Sequence, residues 1–457
     1  MQVSRDALAV EGVADAQVAM ATDLNLRLIA DAGFDPPAAG PDDLVVAVRA
    51  SDERSLDAAF TRIEAALTRP AAGAAGGFLA PPVPRTMRTA ARAGANLALI
   101  SVPGRHAFVE AMEALRAGLH VMVFSDNVPV AQEIALKEEA ERRGLLVMGP
   151  DCGTAIVGGA GLGFANAVDP GPVGIVGASG TGIQQLCCLL DDAGVGVRHA
   201  LGTGANDPSA GVGGRSTLRA LELLDADPAV EVIALVSKPP APAVAERLHA
   251  ATEKMSKPAV TALLGEPGVT LEAAAAEVVR LLGKEPVPHA SWPAAGRVRP
   301  TGRLLGLFSG GTLREEAGSV VLPVLGPAAM SLDAPGHTLV DLGADEFTRG
   351  RAHPMIDPRL RLQHLEEAAA DPTVGVVLLD VVLGYGAHPD PAADLAPSIE
   401  HVVEQGAAVV VSLCGARRDP QGRDRQAEAL KRAGASVYAS NAAAARRAAA
   451  LAQEGES

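Results

Sequence analysis

The 457-residue sequence predicts an α/β protein of several domains, and three observations carry that prediction. Short apolar runs of strand length alternate with stretches of helical period along most of the chain. Apolar residues make up 48% of the sequence and aromatics only 2%, so the cores must be filled by Val, Leu, Ile and Ala. The 49 glycines and 33 prolines supply the many turns that such alternation requires.

Taken in order, Val13–Met20 and Leu44–Arg49 read as strands and Thr22–Ala32 and Ser55–Leu67 as helices, giving a small βαβα module over residues 1–68. Pro70–Pro84 concentrates Ala, Gly and Pro without a period and reads as a linker. A second segment, 85–168, contains a helix at Arg85–Gly94, an apolar run at Leu97–Val102, a helix at Ala107–Ala117, a strand at His120–Phe124, a helix at Val130–Gly144 and a strand at Leu145–Met148. Strands joined by helices imply parallel pairing. The third segment, 170–284, repeats the pattern with strands at Val173–Val176, Val197–Ala200, Val232–Val236 and Ala259–Leu264. Helices at Gly182–Ala193, Ser216–Ala226 and Ala243–Met255 separate them. After a proline-interrupted connector, Lys284–Pro300, the fourth segment, 301–452, has strands at Leu304–Phe308, Val374–Val382, Ala408–Leu413 and Ser436–Tyr438.

Charge and cysteine usage narrow the function. With 54 acidic and 39 basic residues the net charge is -15, which disfavours nucleic acid and anionic membranes as partners but leaves small phosphate-bearing molecules open. Cys152, Cys187, Cys188 and Cys414 are too sparse for a disulfide framework and form no CxxC pair, and no His/Asp spacing assigns a metal. A reducing, cytoplasmic location is expected. The first residues lack the pattern of a signal peptide, and no apolar run is long enough to span a bilayer.

Candidate chemistry lies where strands run into glycine-rich helix starts. The turn Gly177-Ala178-Ser179-Gly180-Thr181 follows an apolar strand and opens a helix. Such a start leaves backbone N–H groups unpaired, carries partial positive charge and adds two hydroxyls, which together favour an anion. Ser309-Gly310-Gly311-Thr312 repeats that arrangement, and two such starts facing one another could hold a phosphate from both sides. Other strand-end loops supply Asn127, Cys152-Gly153-Thr154, Asn206, Gly213-Gly214-Arg215, Lys238 and Asp380 as substrate contacts. Arg351 and His353, in a loop with Asp357, offer an anion partner and a proton donor.

The ordered motifs Leu99–Arg105, Val121–Val128, Met148–Thr154, Val173–Cys187, Gly202–Gly214, Val236–Pro240, Phe308–Thr312, Arg351–Pro358 and Leu378–Gly386 resemble the FdrA family, itself similar to the succinyl-CoA synthetase alpha chain. The resemblance implies a Rossmann-like CoA-binding-type domain followed by flavodoxin-like succinyl-CoA-synthetase-type domains. It also implies that Gly177–Thr181 and Ser309–Thr312 are the two phosphate-cradling helix starts. The synthetases carry a catalytic histidine after the strand matching Ala259–Leu264, where this chain continues Gly265-Glu266-Pro267-Gly268 without one, and a glutamate near the position of Ser237 and Lys238. The family implies a component of oxamate carbamoyltransferase, converting oxalurate or a related ureido acid and phosphate to oxamate and carbamoyl phosphate. Separately encoded partner subunits, or a homo-oligomer, complete that expectation, and phosphate is its co-substrate with no firm cofactor. An acyl-CoA ligase, which would use CoA and a nucleotide, and a non-catalytic metabolite-sensing scaffold are the alternatives.

Overall fold

The computed structural model describes residues 2–21, 23–40, 43–68, 84–266, 268–294, 302–332, 334, 336–348 and 351–456. The chain divides into two compact units, Met1–Val83 with Asp345–Ala352, and Pro84–Ala344 with His353–Ser457. The first contains α1 (Gln2–Leu8), β1 (Val13–Met20), α2 (Asp23–Asp31), β2 (Leu44–Ala50) and α3 (Glu53–Thr68). β1 and β2 pair antiparallel, and Ala7, Ala16, Ala59 and Ile63 bury the helices against the sheet. The βαβα expectation thus gains a leading helix, α1, which anchors through small residues and has no apolar stripe to announce it. Apart from Pro84, the expected linker Pro70–Pro84 lies outside the described residues.

The second unit opens with α4 (Met87–Arg92), β3 (Leu97–Ile100), α5 (Gly104–Arg116), β4 (His120–Val123), α6 (Val130–Arg143) and β5 (Val147–Met148). Its strands form a three-stranded parallel sheet in the order β3-β4-β5. A hairpin of β6 (Thr154–Val157) and β7 (Ala160–Gly163) follows, turned by Gly158 and Gly159 at φ 60° and 84°. Glycine adopts successive positive φ values at low cost. Instead of extending the first sheet, the hairpin joins the next one, where β6 pairs antiparallel with β9.

That sheet continues through β8 (Val173–Ala178), α7 (Gly180–Asp192), β9 (Val197–Gly202), α8 (Arg215–Ala226), β10 (Val232–Ser237), α9 (Pro242–Thr252), β11 (Ala259–Leu263) and α10 (Leu271–Leu281), in the strand order β11-β10-β8-β9-β6-β7. The last sheet takes β12 (Ser291–Trp292), which lies inside the expected connector, then β13 (Arg303–Phe308), α11 (Gly311–Leu325) and β14 (Thr338–Asp341). The chain passes through α12 (Asp345–Thr348) of the first unit and returns with α13 (Arg359–Ala370), β15 (Val374–Val382), α14 (Pro391–Glu404), β16 (Ala408–Cys414), α15 (Arg423–Arg432), β17 (Ser436–Tyr438) and α16 (Asn441–Glu456). Its order is β12-β17-β16-β15-β13-β14, parallel except at β12.

One continuous apolar core unites the two six-stranded sheets: Ile175, Ile183 and Leu186 belong to the same cluster as Leu304, Phe308, Leu313 and Val376. α7 and α11, which follow β8 and β13, pack against each other within it. Both helices start at the carboxyl ends of parallel strands, so packing along their sides brings their N-termini together. Among the described residues no helix is long and apolar enough to cross a membrane.

Candidate functional site

β8 ends at Ala178, and Ser179 caps α7 by accepting a hydrogen bond from the Gly182 amide at 3.0 Å. β13 ends at Phe308, and Gly310 stands at the cap of α11 with no side chain to close it. The two turns meet. Ser179 Oγ donates to Thr312 Oγ1 at 2.7 Å, with both residues buried. A methyl group built on Gly310 would lie 2.5 Å from Thr181 Oγ1, and one on Gly182 would lie 2.9 Å from Thr312 Cγ2. Glycine at these two positions is therefore what lets the helix starts touch. Among the described residues, the amides of Gly180, Thr181, Gly311, Thr312 and Leu313 meet no acceptor. Two sets of unpaired N–H groups with the positive ends of two helix dipoles make a strong anion cradle.

Lys238 enters from the end of β10, its Nζ 3.0 Å from a methyl built on Gly311, and among the described residues it forms no ion pair. Asp341, the last residue of β14, abuts the same point of Gly311 through Oδ2, while its Oδ1 accepts from the Gly343 amide at 2.9 Å. Burial raises the Asp341 pKa and the Lys238 charge pulls it back only in part. Thr154 Oγ1 lies 3.5 Å from a methyl built on Gly180, adding a hydroxyl beside α7.

His353 Nε2 lies 2.7 Å from a methyl built on Gly343, beside the backbone oxygen of Ser309. Its Nδ1 accepts from the Met355 amide at 3.2 Å, which leaves the proton on Nε2. Burial, with Arg361 nearby, pushes the His353 pKa down to about 4. The ring is therefore neutral and offers its Nε2–H as a hydrogen-bond donor.

The expectation for Asp380 is corrected. It is fully buried, and its carboxylate accepts from Ser309 N at 2.7 Å, Ser309 Oγ at 2.8 Å and Gly310 N at 2.8 Å, and from Arg361 Nη1 at 3.3 Å. It holds the second turn from behind and has no surface for substrate. Arg361 Nη2 also donates to Pro354 O at 3.3 Å, which ties the His353 loop to the same carboxylate.

The remaining expected contacts lie away from the two turns or meet partners within the chain. Cys152 is buried and donates toward Gly202 O at 3.3 Å, and burial pushes its thiol up to about 12. Gly153 O accepts from Phe164 N. Asn127, at φ 54°, turns an exposed loop whose carbonyl presses on Gly104. Asn206 donates to Glu133, part of a buried Glu133–Lys137–Asp207 network. Gly213 and Gly214 take positive φ before α8, and Arg215 pairs with Glu138 and Glu141. Arg351 belongs to the first unit, where its amide donates to Thr348 O. Asp341, Gly343 and Arg361 escaped the sequence reading. The one available signal was Asp341-Leu342-Gly343 closing a short β-branched run, the same acid-and-glycine punctuation seen at other strand ends.

Helix starts that face each other at the carboxyl ends of parallel strands in two mixed sheets define an α/β protein with a two-sided anion cradle. By comparison, residues 307–451 match the CoA-ligase family and residues 1–80 match the family described as AllF, heavy metal-associated domain. The chain is 36% identical to the Escherichia coli protein YahF over 96% of its own length and 93% of that protein, and it belongs to the YahF family within the wider succinyl-CoA synthetase alpha group. It is 30% identical to the succinate–CoA ligase [ADP-forming] alpha subunit of Methanothermobacter thermautotrophicus, over 44% of this chain and 70% of that one. An acetyl-coenzyme A synthetase from Ca. Korarchaeum cryptofilum, solved in complex with phosphate and ADP, aligns over 79% of this chain and 83% of its own, at 15% identity and a TM-score of 0.32.

The heavy metal suggested by the second of these names does not fit the residues present. Residues 1–80 contain neither cysteine nor histidine, so the first segment lacks the thiolate and imidazole donors that a soft metal requires.

Proposed function

We propose that the chain is the phosphate-binding subunit of an enzyme that moves a carbamoyl or closely related acyl group between a nitrogen and inorganic phosphate, with oxalurate as the ureido acid. The observation that carries this reading is the contact between the turns Ser179–Thr181 and Ser309–Thr312, with Lys238 beside them and no histidine in the Gly265–Thr270 loop. In this reading a phosphate oxygen attacks the ureido carbonyl carbon, the bond from that carbon to the oxamate nitrogen breaks, and the phosphate proton passes to the leaving nitrogen. Oxamate and carbamoyl phosphate result, with atoms and charge balanced. The free amides and Lys238 hold phosphate in place and offset its charge as it approaches the carbonyl. Neutral His353 donates a hydrogen bond from Nε2 to a carbonyl oxygen of the substrate.

The test is to purify the full chain with its co-occurring partner subunits and follow carbamoyl phosphate formation from oxalurate and phosphate. Formation that falls at least about 100-fold in Lys238→Met supports the reading. No carbamoyl phosphate from the intact complex, or an unaffected Lys238→Met, overturns it. The CoA-ligase match over residues 307–451 favours a second reading, a nucleotide-linked acyl-CoA ligase. That enzyme would bind CoA and form a phosphorylated side chain, and the carbamoyl transferase needs neither.

A further inference from the structure

We infer that Asp341 makes this site selective for an oxyanion that carries a hydrogen, so that it takes hydrogen phosphate and rejects sulfate. The inference rests on the phosphate-cradle reading above and adds the residue that sets its specificity. Helix starts alone attract any anion. Three further features restrict the choice. Thr181 is only 8% exposed, and its hydroxyl, which has no partner among the described residues, lies against the cap of α11. Lys238 reaches the same point with no carboxylate in ion-pair range among the described residues. Asp341 places Oδ2 beside Gly311, next to unpaired amides, while Oδ1 is already committed to Gly343 N.

A carboxylate oxygen inside an anion site accepts hydrogen bonds and donates none. A ligand oxygen without hydrogen, placed against Asp341 Oδ2, would bring two acceptors and two negative charges together in a half-buried setting. A P–OH group turns that repulsion into a charge-assisted hydrogen bond. At neutral and mildly alkaline pH phosphate keeps one hydrogen and sulfate keeps none, although the two match closely in size and charge. A site with a fixed acceptor therefore discriminates between them far more strongly than size or charge would. Lys238 and Arg314 face Asp341 from the end of β10 and from α11, and Asp380 faces it from β15.

Titration calorimetry of the full chain with potassium phosphate and potassium sulfate, at constant ionic strength and about pH 8, tests the inference. Phosphate should bind roughly tenfold or more tightly than sulfate. In Asp341→Asn, Oδ1 still accepts from Gly343 and the new amide donates, so sulfate should gain roughly tenfold and the ratio should collapse toward one. Wild-type protein that binds both anions equally, or an Asp341→Asn protein that keeps the wild-type ratio, overturns the assignment and leaves the cradle standing. Wild-type protein that binds neither anion removes the cradle itself and the assignment with it. Since the wild-type ratio is decisive by itself, an unfolded variant would not rescue the idea.

Discussion

Replacing Gly310 by alanine isolates the contact between the two helix starts. Gly310 has φ -118° and ψ 110°, a β-region conformation that alanine adopts without strain, so any effect comes from the added methyl group. That methyl would lie 2.5 Å from Thr181 Oγ1, 2.7 Å from Cγ2 and 2.8 Å from Cβ. Ordinary carbon contacts are about 3.5–4.0 Å, so the turns must separate by about 1 Å. Threonine is β-branched and stiff, and its Cβ cannot swing away. Overpacking of this kind costs about 1–3 kcal/mol of stability. A cradle displaced by about 1 Å loses roughly 100-fold in any reaction that it positions. Phosphate titration and thermal unfolding of Gly310→Ala should show at least about tenfold weaker binding together with a lower melting temperature.

A double-mutant cycle sharpens the test. Thr181→Gly removes every atom that the methyl strikes, so Gly310→Ala should be milder in that background than in the wild type, a coupling that independent sites do not show. Gly310→Ala protein that binds phosphate within about twofold of wild type, at an unchanged melting temperature, would refute the argument that close approach of the turns builds the site.

Other outcomes follow from the same physical terms. Burial raises the Glu316 pKa to about 7 despite bonds from Leu271 N and Asn441 Nδ2, so its contribution to stability is complete below the ordinary value of 4.5 and is lost as pH rises through about 7. Melting temperatures should fall between about pH 5 and pH 8, and Glu316→Gln should flatten that slope. Truncating Asp380 to alanine leaves Arg361 as an unpaired buried charge and frees the Ser309 and Gly310 amides, at a cost of about 3–5 kcal/mol in urea unfolding. All four cysteines are buried, and burial raises the thiols of Cys152, Cys187 and Cys188, so native protein at about pH 8 should resist iodoacetamide while the denatured chain reacts at four sites.

The long elements were legible because their own residues decide them. β15 is a nine-residue strand, apolar but for Asp380, that stays buried throughout, and α7 and α8 carry clear apolar stripes. β12 and β14, with two and four residues, are too short for any period to emerge. The β6–β7 hairpin had its Gly158-Gly159 signal, but β7 reads Ala-Gly-Leu-Gly and lacks the branched side chains that mark a strand. Its placement was beyond sequence reasoning, because pairing with β9 depends on residues more than forty positions away.

The candidate site divides along the same line. Each glycine-hydroxyl turn is a local pattern and could be read, but their contact joins Ser179 to Thr312 across 133 positions through a core that no short motif encodes. The acids show the limit most clearly. Asp380 and Asp341 both lie toward the carboxyl ends of parallel strands, and the sequence reading selected Asp380. The sheet order separates them. β15 lies between β16 and β13, and Asp380 stands two residues before its end, so neighbours on both sides close over the carboxylate and consume it. β14 is the edge strand and Asp341 is its last residue, so one oxygen stays uncommitted beside the start of α11. A buried carboxylate needs donors and a cation to be tolerated, which Ser309, Gly310 and Arg361 provide for Asp380. Asp341 accepts one hydrogen bond, from Gly343 N, and has Lys238 and Arg314 near it without an ion pair among the described residues, and that incomplete satisfaction is what leaves it able to accept a proton-bearing ligand.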